Sequence, residues 1–235
     1  MKASDVWAVV PAAGVGRRFA GDRPKQYVAL GTRPVIAHVI ERLAAVRGIA
    51  GIVAAVTPAD PWWHEAAKGF RVPVATVDGG AERRDSVLNA LDYLGDLAAG
   101  DDFVIVHDAV RPCVKVADIE RVVTAARGEP GGAILGVPVS DTLKRAGPDR
   151  SIAGTVDRSR LWRAFTPQVF PFDRLRAALR NAIASGSAVT DEAQAMERAG
   201  ARPLLVEGSP GNIKITHAED LAIARALLEA EGPPA

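Results

Sequence analysis

Residues 6–26 read VWAVVPAAGVGRRFAGDRPKQ. The first five are apolar, β-branched at three positions and without a period of two, which predicts a strand buried on both faces. The segment from Val9 to Gln26 then holds three glycines, three arginines and a lysine. A buried strand that runs into bare backbone and cations marks the place where an α/β sheet binds ligands, beyond the carboxyl ends of its strands. The loop is not a P-loop, because Asp22 and Arg23 follow Gly21 where Lys and Ser/Thr are needed. It is not a clean dinucleotide fingerprint either, since Phe19 stands at the third glycine position. What remains is a tight turn whose N–H groups can face an anion, with Arg17, Arg18, Arg23 and Lys25 around it. By itself such a loop is equally a surface turn with solvated cations.

Working outward, GIVAAV (51–56), VPVATV (72–77), FVIVH (103–107) and AILGVPV (133–139) repeat the character of the first run. Residues 34–46, 83–97 and 116–127 carry apolar residues at helical spacing between them. This alternation predicts a Rossmann-like, doubly wound α/β fold: a mostly parallel sheet with helices on both faces. The rhythm breaks at 140–162, which is polar. TLKR and IAGTVDR read either as an exposed hairpin turning at AGPDRS or as a surface loop. A bare hairpin is marginal alone, so a projecting arm would need a partner subunit. Helices over 172–184 and 191–200, the PLLVEG segment, a short NIKIT strand and a closing helix over 218–230 complete the chain. We expect one domain, 1–235, with an inserted dimerisation arm at 139–160.

Composition limits the function. A net charge of +1 over 235 residues supplies no general field for nucleic acid or an anionic membrane. Neither a signal peptide nor a membrane span is visible, and the single Cys113 excludes an internal disulfide, which suits a cytoplasmic location. Cys113 itself reads as a small buried hydrophobe. The four histidines are scattered, His38 on an apolar helix face and His64 in a surface turn, so no protein metal cage is expected. No GxSxG elbow anchors a triad. Two further loops follow predicted strands: DGGAERRDS (78–86), with Ser86 placed to cap a helix or hold a base edge, and HDAVRP (107–112), with Asp108 and Arg111. Asp108 there is placed for a metal or a ribose hydroxyl, or is a plain turn residue. A site rich in cations but without nucleophile or base suits attack of one phosphate on another.

The combination of PAAGVGRR (11–18), PKQY (24–27), DGGAERRDSV (78–87), HDAVRP, TVDRSRLW (155–162), TPQ (166–168), TDEA (190–193) and NIKIT (212–216) resembles the 2-C-methyl-D-erythritol 4-phosphate cytidylyltransferase family. The resemblance runs from about Trp7 to Leu228. It implies transfer of CMP from CTP to methylerythritol phosphate, with release of pyrophosphate. It implies that Pro11, Ala12, Ala13, Gly14, Gly80 and Ser86 form the cytosine pocket. Gly16, Arg17, Arg18, Lys25 and Arg83 would surround the rest of CTP, with Asp108 and Ala109 by the ribose. Arg18, Lys25 and Lys214 would be catalytic. Arg111, Thr142, Arg158, Thr166 and Thr190 would hold the acceptor, partly across a homodimer built on the arm. Mg²⁺ would be held mainly by phosphates and water. Thr166 and Thr190 also read as helix caps. Two positions depart from the family pattern: Ala81 and Gly211 stand where acids are frequent. The competing readings are a ribitol 5-phosphate cytidylyltransferase, a non-catalytic nucleotide binder and, least favoured, a dinucleotide-dependent oxidoreductase. TVDR and TDEA favour methylerythritol phosphate as acceptor.

Overall fold

The computed structural model describes residues 4–14 and 23–231. The predicted buried runs become strands β1 (Val6–Pro11), β4 (Ile49–Val56), β5 (Ala75–Asp78), β6 (Phe103–Val106) and β7 (Ala133–Pro138), and the sequence reading missed the two-residue β2 (Ala29–Leu30) and β3 (Arg33–Pro34). β5 begins three residues later than expected; Pro73 has no N–H to give a ladder. The helices are α1 (Val35–Ala44), the short α2 (Trp63–Ala67), α3 (Arg83–Leu94), α4 (Val116–Gly128), α5 (Phe172–Ala184), α6 (Glu192–Arg198) and α7 (Glu219–Glu231). His64 therefore sits, exposed, on α2 and not in a turn.

Residues 140–162 do fold back on themselves. β8 (Leu143–Ala146) and β9 (Ile152–Val156) pair antiparallel as a two-stranded sheet of their own, with Leu143 opposite Val156. The loop reading is thereby set aside. After them comes a strand that the sequence did not predict, β10 (Trp162–Pro171). Its sequence WRAFTPQVFP has charged, polar and proline residues that break any apolar run, and its register against β7 shifts between Ala164 and Gln168. Yet Phe165 to Phe170 are all buried.

The main sheet runs β11-β7-β10-β6-β1-β4-β5, where β11 is Leu204–Glu207. β10 is antiparallel to both neighbours, and the other pairings are parallel. Alternation along the strands divides the core. Ala8, Val10 and Ile105 face Ile36, Ile40, Ile119 and Val122 of α1 and α4. Val9, Val104 and Val106 face Val87, Leu91, Leu175 and Leu179 of α3 and α5. Helices thus cover both faces, as a sheet of doubly buried strands requires. The expected NIKIT strand does not form. Residues 212–216 lie outside the sheet, tied by Ile215 N donating to Val110 O at 2.9 Å and by Arg111 Nη1 donating to Asn212 O at 2.7 Å. No helix among the described residues is long and apolar enough to cross a membrane.

Candidate active site

The carboxyl ends of β1, β5 and β6 open into one cleft of about 410 Å³. Residues 11–14 and 80–83 form two of its walls; Lys25, Gln26, Ser86, Asp108, Ala109, Val110, Lys214 and Thr216 complete it. The first wall is held by hydrogen bonds that the strand pattern extends past its end. Ala12 N donates to Ala55 O at 2.7 Å, and the Thr57 hydroxyl donates to Ala13 O at 3.2 Å. Gln26 is buried, and its Nε2 donates to Ala12 O at 2.7 Å and Gly14 O at 3.2 Å. A single amide therefore ties the loop after β1 to the 3₁₀ turn Lys25–Tyr27 that carries Lys25.

The second wall depends on missing side chains. A Cβ at Gly79 would lie 2.2 Å from the Ala13 Cβ, and one at Gly80 would lie 2.3 Å from the Asp85 Cβ. Only glycine lets this loop approach the first wall so closely. Ser86 does not cap α3; Glu82 occupies the cap position, with its N–H donating to Asp85 Oδ2 at 2.9 Å. Instead Ser86 Oγ accepts from Gly80 N at 3.1 Å and donates to Glu82 O at 3.2 Å, so it braces the glycine turn.

At the floor stands Asp108, 6% exposed. Arg83 Nε reaches its Oδ1 at 3.3 Å, while Arg111 Nε and Lys214 Nζ reach Oδ2 at 3.2 and 3.0 Å. Burial by itself pushes this carboxyl up, but Arg83, Lys214 and Arg111 outweigh it and hold it well below the usual carboxylate range. On its far side Arg83 donates Nη1 to Glu192 Oε1 at 2.6 Å. Burial opposes the Arg83 charge, and the Glu192 and Asp108 carboxylates more than restore it. His107, fully buried beside them, is pushed down to about 4 chiefly by burial, so the imidazole is neutral near pH 7.

Pro11, Ala12, Ala13, Gly14, Lys25, Gly80, Arg83, Ser86, Asp108, Ala109 and Lys214 are brought together around this cleft. Gly16, Arg17 and Arg18 lie outside the described residues. The acceptor set is not gathered there. Arg111 turns inward, stacked on the Phe165 ring at 5.0 Å and bonded to Asp108 and Asn212. Thr166 is buried behind the cleft, its Oγ1 accepting from Asp108 N at 3.0 Å, and it caps no helix. Thr190 is exposed and is likewise no cap. Asp191 is the cap of α6, accepting from Gln194 N, while Thr190 N donates to Gln194 Oε1. Thr142 and Arg158 are exposed at the base of the hairpin and do not line the cleft.

Sequence reasoning missed Gln26, Val110, Thr216 and Glu192 as site residues. PKQY, HDAVRP, TDEA and NIKIT contain all four, but nothing local says that Gln26 turns inward or that Glu192 meets Arg83. His38 does pack, its Nε2 bonded to Leu30 O at 2.9 Å. Cys113 is buried, and burial pushes its thiol up to about 11.

Residues 6–230 match the family model of 2-C-methyl-D-erythritol 4-phosphate cytidylyltransferase. The protein of that name from Halorhodospira halophila is 52% identical over 229 residues, spanning 96% of this chain and 94% of its own. The one from Hahella chejuensis is 45% identical, spanning 97% and 95%. Among solved structures, a 4-diphosphocytidyl-2C-methyl-D-erythritol synthase superposes with a TM-score of 0.82 at 37% identity, covering 95% of this chain and 99% of the other. The Francisella tularensis cytidylyltransferase gives 0.81 at 30% identity, covering 96% and 100%.

Proposed function

The chain belongs to the 2-C-methyl-D-erythritol 4-phosphate cytidylyltransferase family, and we propose that its strand-edge cleft is where the reaction takes place. The enzyme is a nucleotidyltransferase that moves CMP from CTP to methylerythritol phosphate. A phosphate oxygen of the acceptor attacks the α-phosphorus of CTP, the bond to the β-phosphate breaks, and pyrophosphate leaves. The products are 4-diphosphocytidyl-2-C-methyl-D-erythritol and pyrophosphate. The observation that carries the site assignment is that Lys25, Lys214 and Arg83 stand around one cleft floored by an ionised Asp108.

The nucleophile is already an anion, so the protein needs no base. It aligns the groups and neutralises charge that grows on the phosphates. In this reading the braced walls at Ala12–Gly14 and Gly80 admit a pyrimidine and crowd out a purine. Lys25 and Lys214 lie against the phosphates, with Asp108 holding Lys214 in place. Asp108 has three cations on its carboxylate, which leaves it a poor ligand for a divalent ion, and the described residues contain no cluster of three or more His, Cys, Asp or Glu side chains for one. The phosphate oxygens and water would therefore hold Mg²⁺, which would supply charge neutralisation on the triphosphate.

The hairpin belongs to the same proposal. Ile152 is 69% exposed on β9, an apolar surface that a second copy would cover. Thr142 and Arg158 would then serve the partner's cleft in a homodimer, and the compartment would be the cytoplasm. The test is pyrophosphate release from CTP, UTP, ATP and GTP with methylerythritol phosphate and Mg²⁺. CTP is expected to exceed the others by at least tenfold, about 1.4 kcal/mol of discrimination. Equal rates with a purine nucleotide, or CTP binding without pyrophosphate, would overturn the reading.

A further inference from the structure

Glu192 is 1% exposed, and a buried carboxylate is costly unless it is well paired. Among the described residues its one hydrogen-bonding partner is Arg83, and its Oε2 has none. Replacing buried ion pairs by apolar residues often leaves stability unchanged or improves it, so stability alone does not account for this group. Its placement is informative. Glu192 opens α6, where Gln168 of β10 accepts from Ala193 N at 2.9 Å and donates to Asp191 Oδ2 at 2.9 Å. The strand that flanks β6 thus fixes the carboxylate opposite the cleft. Arg83 lies between two acids, nearer to Glu192 (2.6 Å) than to Asp108 (3.3 Å), while Lys214 and Arg111 share the other oxygen of Asp108. Three cations and two carboxylates form one chain of contacts, and Glu192 is its far anchor.

We propose that Glu192 is a positioning residue for nucleotide transfer: it draws Arg83 back, so that Asp108 stays shared and keeps Lys214 at the cleft. Without that charge Arg83 would close onto Asp108 in a bidentate pair, the preferred geometry of arginine with a carboxylate, and displace the Lys214 ammonium. This deepens the proposed function and rests on it for the reaction, but its effect on nucleotide affinity does not need the reaction to occur.

The test is a double-mutant cycle of Glu192→Gln with Lys214→Gln, read both as CTP affinity by titration calorimetry and as pyrophosphate release. Glu192→Gln keeps shape and an acceptor oxygen, so the fold is expected to persist. The variant should lose about tenfold in turnover, less than the 10²–10³-fold of a group that touches the phosphates. It should have little further effect once Lys214 is gone, in affinity as in turnover. Glu192→Asp, which keeps the charge, should recover part of the loss. Glu192→Gln with wild-type affinity and turnover, or losses additive with those of Lys214→Gln, would overturn the positioning role. So would unfolding of both Glu192 variants, which would make the group purely structural. A wild-type protein that binds CTP but releases no pyrophosphate would overturn the proposed reaction, and the affinity cycle would still decide the role of Glu192.

Discussion

Asp108 in the cleft and Asp149 on the hairpin are both held below the usual carboxylate range, and the dominant causes differ. Asp149 is lowered by the side-chain and backbone hydrogen bonds of Ser151, two residues away, and it is fully exposed. Asp157 repeats the pattern with Ser159. Asp108 must first overcome burial, and does so with Arg83, Lys214 and Arg111, two of them from distant parts of the chain. The hairpin organises its charges within a turn, in water, where each contact is worth little. The cleft concentrates charges that no local segment could hold, and each depends on the others. A molecule can thus carry a polar arm at small cost, whereas a polar floor under a ligand has to be built by the whole fold.

The comparison breaks most readily at Asp108. Asp108→Asn would leave three cations around a neutral amide, and we expect a loss of about 3–5 kcal/mol in stability, read by denaturant unfolding. A loss under about 1 kcal/mol would show the cluster to be as loosely coupled as the hairpin. Next in size, Lys25→Ala and Lys214→Ala should each cost 10²–10³-fold in turnover, about 3–4 kcal/mol of barrier, with the melting transition retained. Near-normal turnover in either removes that lysine from the phosphate site.

Third comes pH. His107 falls from its ordinary 6.5 to about 4 in the folded state. Between those values the unfolded chain binds the extra proton, so stability is complete above about pH 6.5 and falls as the pH drops toward 4, by about 3 kcal/mol in all. Asp108 works lower on the scale, its contribution being lost only as pH falls below the ordinary carboxylate range. His107→Gln should remove most of the change between pH 6.5 and 4 in thermal melts, and an unchanged profile would contradict it. Smallest of all, Lys144→Ala on β8, which loses the Nζ–Thr155 hydrogen bond of 2.8 Å, should shift stability by less than about 0.5 kcal/mol. Ile152→Asp should leave the monomer's stability alike untouched but lower the apparent mass by light scattering if the hairpin mediates a dimer; an unchanged mass would remove the hairpin from that role.

Much of this was legible beforehand because its signals are local. Five buried runs predicted five strands of the main sheet, and the glycines and cations after them located the cleft walls at Ala12–Gly14, Gly80 and Asp108. What escaped is how particular side chains bond, whether within a turn or to a distant partner. Ser86 read as a cap or a base-edge contact; it lines the cleft and braces Gly80 without capping α3, while Thr190 read as an acceptor contact or a cap, and the cap position belongs to Asp191. NIKIT reads as a strand because its Ile-x-Ile alternation fits one, yet its residues bond to the loop after β6 and add no strand to the sheet.

β10 gathers these lessons. WRAFTPQVFP looks irregular because its polar residues serve other elements: Thr166 receives the Asp108 amide, and Gln168 secures the start of α6. From the sequence alone came the α/β frame, the loops that line the cleft, and their cations, since hydrophobic period and glycine placement are properties of neighbouring residues. Only the tertiary structure decided that an antiparallel strand enters between β6 and β7 and that Glu192 meets Arg83 across 109 positions of chain. Such pairings are settled by which buried charge must find a partner once the sheet has closed, and no window of adjacent residues contains that information.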